Sequence, residues 1–147
     1  MHPLRILHVE DSEQDLILLG RACDAAGLPA QFQRVGDGVQ AVAYLRGEGE
    51  FSDRRTYPFP DLIVLDLNLP GMGGLDFLKW LRNESKHRSL PVLVFTVSGS
   101  VEDKARSLAA GATGYFVKPA DFEAFVRLTE SFKQFRRDGE DKNNEVT

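Results

Sequence analysis

Apolar runs of strand length alternate along this chain with segments of helical period. Leu4 to Val9, Gln31 to Val35, Leu62 to Leu65, Val92 to Phe95 and Gly114 to Val117 read as strands. Glu13 to Ala26, Val39 to Arg46, Leu75 to Arg82, Val101 to Ala109 and Phe122 to Arg136 carry apolar residues at helical spacing. Ser12 and Asp121 stand at N-cap positions, and Gly27, Gly47 and Gly111 stand where helices should stop. Strand-then-helix units of this kind predict an α/β fold, a doubly wound parallel sheet covered on both faces. The stretch 47–60 is longer than a minimal connection, and its breakers and aromatics predict an ordered surface excursion with rings over the rim of the core. Residues 138–147 lack any apolar period and are expected to form a flexible C-terminal tail.

Composition narrows the class without naming a function. A chain of 147 residues with 42% hydrophobic and 27% charged residues fits one globular domain with a real core. The net charge of -4 gives no reason to expect nucleic acid or an anionic membrane as partner. Cys23 is the single cysteine and reads as a small packed residue. No stretch approaches the roughly 20 apolar residues of a membrane span. The first residues run directly into a strand rather than a signal peptide, so the cytoplasm is the expected compartment.

Chemistry enters at the strand ends. Glu10 and Asp11 close the first strand and Asp66 closes the third. In a doubly wound sheet, the carboxyl ends of neighbouring parallel strands open into the crevice where such folds bind ligands, so the three acids should converge. Two carboxylates about 4 Å apart repel by roughly 4 kcal/mol at an effective dielectric near 20, and a cluster of three calls for a cation or a raised pKa. Magnesium, a hard oxygen-seeking cation, answers that demand. Thr96 follows the fourth strand and Lys118-Pro119 follows the fifth, adding a hydroxyl donor and a movable cation to the same sheet edge. The set has the logic of phosphoryl transfer to a carboxylate nucleophile.

Glu10-Asp11, Asp66-Leu67-Asn68-Leu69-Pro70, Thr96 and Lys118-Pro119 together resemble the signature of the receiver domain of two-component response regulators. The resemblance runs from about Leu4 to Arg136 and implies one receiver domain over residues 1–137, of the flavodoxin-like (βα)5 type with sheet order 2-1-3-4-5. It also implies phosphorylation of Asp66 by a sensor histidine kinase. By the same resemblance, magnesium would be held by Asp11, Asp66 and the backbone carbonyl of Asn68, with Glu10 acting through water. Lys118 would pair with the phosphoryl oxygens, its bond to Pro119 would be cis, and Thr96 with Tyr115 would form the switch pair. The implied activity is a phosphorylation-controlled protein interaction, with no catalysis beyond the protein's own phosphoryl transfer and dephosphorylation.

Departures from the pattern carry expectations of their own. Gly73 should loosen the loop 70–74, and branched Val97 should narrow the approach to Asp66. The excursion 47–60 is similar to that of the stand-alone regulators that partner phytochromes, which makes a bacterial phytochrome the candidate kinase. Leu128, Phe132 and Phe135 extend the apolar face of the last helix beyond what a sheet-covering helix buries, which predicts a homodimer through that helix and the fifth strand at Tyr115. A flavodoxin would need a phosphate loop where Glu10-Asp11-Ser12-Glu13 stands. The alternative of a magnesium-dependent phosphatase of the aspartyl-phosphate type would need a second acid where Asn68 stands. A transcription factor would need a DNA-reading module, and His2, His8 and His87 lack metal-ligand spacing.

Overall fold

The structure, a computed structural model, describes residues 2–136. The flexible tail expected at 138–147 lies outside the described residues. Five parallel strands, β1 (Leu4–Val9), β2 (Ala30–Val35), β3 (Leu62–Leu65), β4 (Val92–Thr96) and β5 (Gly114–Val117), form one sheet in the order β2-β1-β3-β4-β5. The helices are α1 (Glu13–Ala25), α2 (Gly38–Arg46), α3 (Gly74–Asn83), α4 (Val101–Ala109) and α5 (Phe122–Glu130). This is the flavodoxin-like receiver architecture. β1, β3 and β4 occupy the middle, and β3 is buried along its whole length, which is why Leu62-Ile63-Val64-Leu65 reads as an unbroken apolar run.

Alternation along the strands divides the core in two. Leu7, Val9, Ile63 and Leu65 face Phe77, Leu78 and Leu81 of α3, while Leu4, Ile6, Leu62 and Val64 face Leu19 and Cys23 of α1 and Phe125 of α5. Caps fix where the helices begin: the Ser12 side chain accepts from the Asp15 N–H, and Asp121 accepts from the Ala124 N–H. Gly47 ends α2 in the left-handed region at φ 67°. The excursion is ordered as expected, with a short 3-10 helix at Gly49–Ser52 that buries Phe51 against Tyr44 and Tyr57. The Arg54 guanidinium fastens the rest by donating to the Leu45 and Tyr57 carbonyls while lying over the rings of Tyr44 and Phe59.

The last helix departs from its expected form. α5 stops at Glu130 and the chain continues as a 3-10 helix over Ser131–Phe135. Residues three apart eclipse in that geometry, so Phe132 and Phe135 share one inward face instead of drifting round the helix. Phe132 is 1% exposed and Leu128 8%, and Phe135 packs on the same cluster. The exposed stripe that argued for a homodimer is therefore core, and that ground for a dimer is removed. Phe122, the first residue of α5, is 43% exposed. The Lys118–Pro119 bond is trans, since no cis peptide is found among the described residues; the intrinsic preference for trans at proline is small but real. No helix among the described residues is long and apolar enough to cross a membrane.

Candidate functional site

Sheet register brings the polar strand ends together. Val9 lies beside Leu65, so the residues that follow them, Glu10 and Asp66, are neighbours. The Asp66 N–H donates to the Val9 carbonyl at 3.0 Å and the Glu10 N–H to the Val35 carbonyl at 3.0 Å, which carries the ladder one step past the strands. On the other side, Thr96 lies beside Val117, and the Lys118 N–H donates to the Thr96 carbonyl at 2.7 Å. Glu10, Asp66, Thr96 and Lys118 thus stand along the carboxyl edge of β1, β3, β4 and β5, where doubly wound sheets form their sites.

Lys118 organises the cluster. Its Nζ is 2.6 Å from Asp15 Oδ2, 2.7 Å from Glu10 Oε2 and 3.3 Å from Asp66 Oδ2. Glu10 also accepts from the Ser12 N–H, and Asp66 accepts from the Asn68 N–H at 3.1 Å. Burial, reinforced by the neighbouring Asp66 carboxyl, pushes the Glu10 carboxyl up to about 7, with Lys118 opposing. Burial also works against the charge on Asp66, but the Glu10 carboxyl, the Asn68 N–H and Lys118 outweigh it and hold Asp66 below the ordinary carboxylate value. Burial likewise opposes the ammonium of Lys118, yet Asp15 and Glu10 raise it well above the usual lysine value. The cluster therefore favours an ionised Asp66 beside a charged lysine.

Asp15 is the site residue that strand-end reading misses, since it belongs to the first turn of α1. The available signal is its spacing: one helical turn after the Ser12 cap returns a side chain toward the strand end that the helix has just left. His8, which lacks metal-ligand spacing in the sequence, lies under the same edge. It has the strand parity of Leu4 and Ile6, is fully buried, and among the described residues has no hydrogen-bond partner at either ring nitrogen. Burial lowers its pKa to about 4, so it stays neutral beneath the charged cluster.

The remaining expected residues divide. Thr96 is fully buried, with its hydroxyl oxygen 3.4 Å from the Ser98 N–H. The Tyr115 hydroxyl donates to the Ser98 carbonyl at 2.8 Å, so the two members of the expected switch pair meet at one residue of the loop after β4. That loop is tied to α4 by the Ser98 hydroxyl, which donates to Asp103 at 2.6 Å. Asp11 is exposed, but its side chain lies within reach of Glu10, whose carboxyl it helps to raise, and Val97 is 70% exposed rather than packed over the crevice. Among the described residues no group of three or more His, Cys, Asp or Glu side chains is gathered to hold a metal ion. The candidate ligands at the site are nonetheless all oxygen, and three carboxylates there share one ammonium, which suits a hard divalent cation. Asn68 cannot serve as a general acid, which removes the main support for the phosphatase alternative.

Gly74 holds the loop after Asp66 close to the site. A Cβ there would run into the Asp66 carbonyl oxygen and come within 2.9 Å of Leu67 Cα, both backbone, whereas one on Gly73 would meet nothing within 4 Å. Gly74→Ala should lower the unfolding free energy by about 2–3 kcal/mol, the cost of forcing atoms into a packed place. Gly73→Ala should stay within about 0.5 kcal/mol of the parent. Urea unfolding of both variants checks the contrast.

A buried carboxylate, a lysine beside it and a hydroxyl at the next strand end, on a 2-1-3-4-5 sheet, have the arrangement of a receiver domain. The chain belongs to the response regulator receiver domain family, whose profile matches residues 6–130. It is 32% identical to the probable methanogenesis regulatory protein FilR2 of Methanothrix harundinacea, over 90% of this chain and 83% of that protein. It is 29% identical to the response regulator Rcp1 of Synechocystis, over 90% and 88% of the two chains. Among solved structures it resembles RPA3017, a response regulator in red light signalling of R. palustris, with a TM-score of 0.83 and 30% identity over 92% of this chain and 94% of that one. The phosphorylated cyanobacterial phytochrome response regulator RcpA gives a TM-score of 0.79 and 31% identity over 92% and 94%. A Mn(2+)-bound form of Rcp1 gives 0.76 and 28% over 90% and 94%.

Proposed function

We propose that this receiver accepts a phosphoryl group on Asp66 from a histidine kinase and signals the change by protein contact. The observation that carries the reading is the contact of Lys118 with an Asp66 carboxylate held ionised at the mouth of the sheet. Asp66 supplies the attacking oxygen and Lys118 balances the charge that gathers on the phosphoryl oxygens. Thr96 offers its hydroxyl one strand away. Because Thr96 and Tyr115 both reach Ser98, a shift of the hydroxyl toward the phosphoryl group would be felt by Tyr115 and by α4 through Asp103. A phytochrome-type kinase is the partner favoured by the likeness to RcpA and RPA3017. The cytoplasm is the compartment expected of such a pair. Incubation with acetyl phosphate and magnesium, followed by peptide mapping, tests the reading; a wild-type protein that takes up no label at Asp66 overturns it.

Magnesium would be held by Asp11, Asp66 and the Asn68 carbonyl, with Glu10 acting through water, and would supply positive charge against the phosphoryl oxygens. This reading carries a pH dependence. Glu10 holds a proton up to about 7 instead of 4.5, so the metal-free fold should lose stability as pH rises through that window. A cation that favours the ionised carboxylate has to displace that proton, and its affinity should fall by up to about tenfold per unit as pH drops below 7. Calorimetric titration with magnesium at several pH values checks this; an affinity flat across that range would deny Glu10 its part.

A further inference from the structure

We infer that Asp15 is a positioning residue that holds Lys118 in the unphosphorylated protein and must release it when a phosphoryl group arrives on Asp66. The inference rests on the proposed role of Asp66. An ammonium has three donors, and those of Lys118 are shared among three carboxylates, the shortest contact being the 2.6 Å to Asp15 and the longest the 3.3 Å to Asp66. The phosphoacceptor is therefore the least closely held of the three. A phosphoryl group adds three strong acceptor oxygens and a charge of about −1.5 to −2, and Lys118 can serve them only by giving up a carboxylate.

The two other partners differ in how easily they yield. Glu10 is buried and its carboxylate is pinned by the Ser12 N–H. Asp15 sits on the outer turn of α1 with its side chain 19% exposed, and among the described residues Lys118 is its carboxylate's one hydrogen-bond or ion-pair partner. It can swing into water without breaking anything else. A contact present in one state and absent in the other biases the equilibrium against the second, so the Asp15–Lys118 pair opposes phosphorylation. The plainer account is that Asp15 serves as a first-turn acid complementing the helix dipole. That account predicts lost stability on neutralisation and no gain in phosphoryl binding.

In labelling by acetyl phosphate, an Asp66 carboxylate oxygen forms the new bond to phosphorus. The bond from phosphorus to the acetate oxygen breaks, and acetate leaves with the electron pair. Asp15→Asn should speed this labelling and tighten magnesium-dependent binding of beryllofluoride, a phosphoryl mimic, each by about tenfold, the effect of one charge-assisted contact freed for the new ligand. Asp15→Glu, which keeps the charge, should stay within about twofold of the parent, a difference too small to signal a lost contact. Glu13 lies in the same helical turn, is exposed and pairs with Arg34 at 3.6 Å rather than with Lys118. Glu13→Gln should therefore also stay within about twofold, since screened surface charge at that distance acts weakly. Thermal unfolding separates any helix-dipole loss from the binding gain. Asp15→Asn labelling and binding that are unchanged or weaker, or a Glu13→Gln gain equal to that of Asp15→Asn, would overturn the inference while leaving Asp66 in place. A wild-type protein that neither labels at Asp66 nor binds beryllofluoride would remove both readings.

Discussion

Asp66→Asn is expected to take up no phosphoryl label from acetyl phosphate, while its fold stays intact. The amide keeps the size of the carboxylate and can still accept from the Asn68 N–H, which meets one Asp66 oxygen at 3.1 Å. What it loses is the nucleophile, because an amide oxygen does not form a stable bond to phosphorus under conditions in which a carboxylate does. The neighbours cannot take over. Glu10 is buried and partly protonated with a pKa of about 7, and Asp15 is engaged with Lys118 on the helix side of the cluster. Stability at neutral pH should fall modestly, because the fold holds Asp66 below the ordinary carboxylate value and so favours its ionised form. Mass spectrometry of the intact protein and its peptides reads the label, and circular dichroism reads the fold. Normal labelling mapped to another carboxylate would overturn the assignment of the nucleophile.

How much of this was legible in the sequence follows from where each residue's constraint lies. The buried strands β1 and β3 are continuous apolar runs, and an acid placed immediately after such a run has few explanations besides a site. Glu10 and Asp66 were therefore readable from the chain, and so was Lys118 after β5. Asp15 was not, because its one signal, the spacing from the Ser12 cap, fits an acid that complements the helix dipole as well as one that reaches back across the sheet edge. The contact with Lys118 spans 103 positions and is set by the packing of α1. Phe132 and Phe135 failed for a different reason. Their placement depends on whether the chain continues at 3.6 residues per turn or tightens to 3.0, and that choice is made by the core they enter rather than by their spacing. The switch pair falls between these cases. Thr96 and Tyr115 were both picked out, but their meeting point at Ser98 depends on the course of a loop with no periodic pattern.

Lys118→Met should have the other large effect, and on two observables at once. Methionine keeps the length of the side chain and removes the cation, so the contact over the Phe95 ring at 5.6 Å is replaced by an apolar one. Labelling of Asp66 should slow by about 10²-fold, the usual cost of deleting one electrostatic stabiliser aimed at a developing charge. The second observable is the pH dependence of stability. With the ammonium gone, the carboxylates around it lose their compensation, and the Glu10 and Asp66 carboxyl groups should both rise from the values they hold in its presence. A carboxyl whose pKa is raised on folding stabilises the protonated state, so the loss of stability should be greatest in mildly alkaline solution and should diminish as pH falls. At pH 8 the variant should be weaker than its parent by about 2 kcal/mol, below the usual cost of breaking a buried pair because the mouth of the cluster is open to water. Magnesium should restore more stability to the variant than to the parent, since it answers the same need for positive charge. Urea denaturation across this pH range, with and without magnesium, measures both effects. A variant as stable as its parent at pH 8 would mean that Lys118 is not what holds the three acids together.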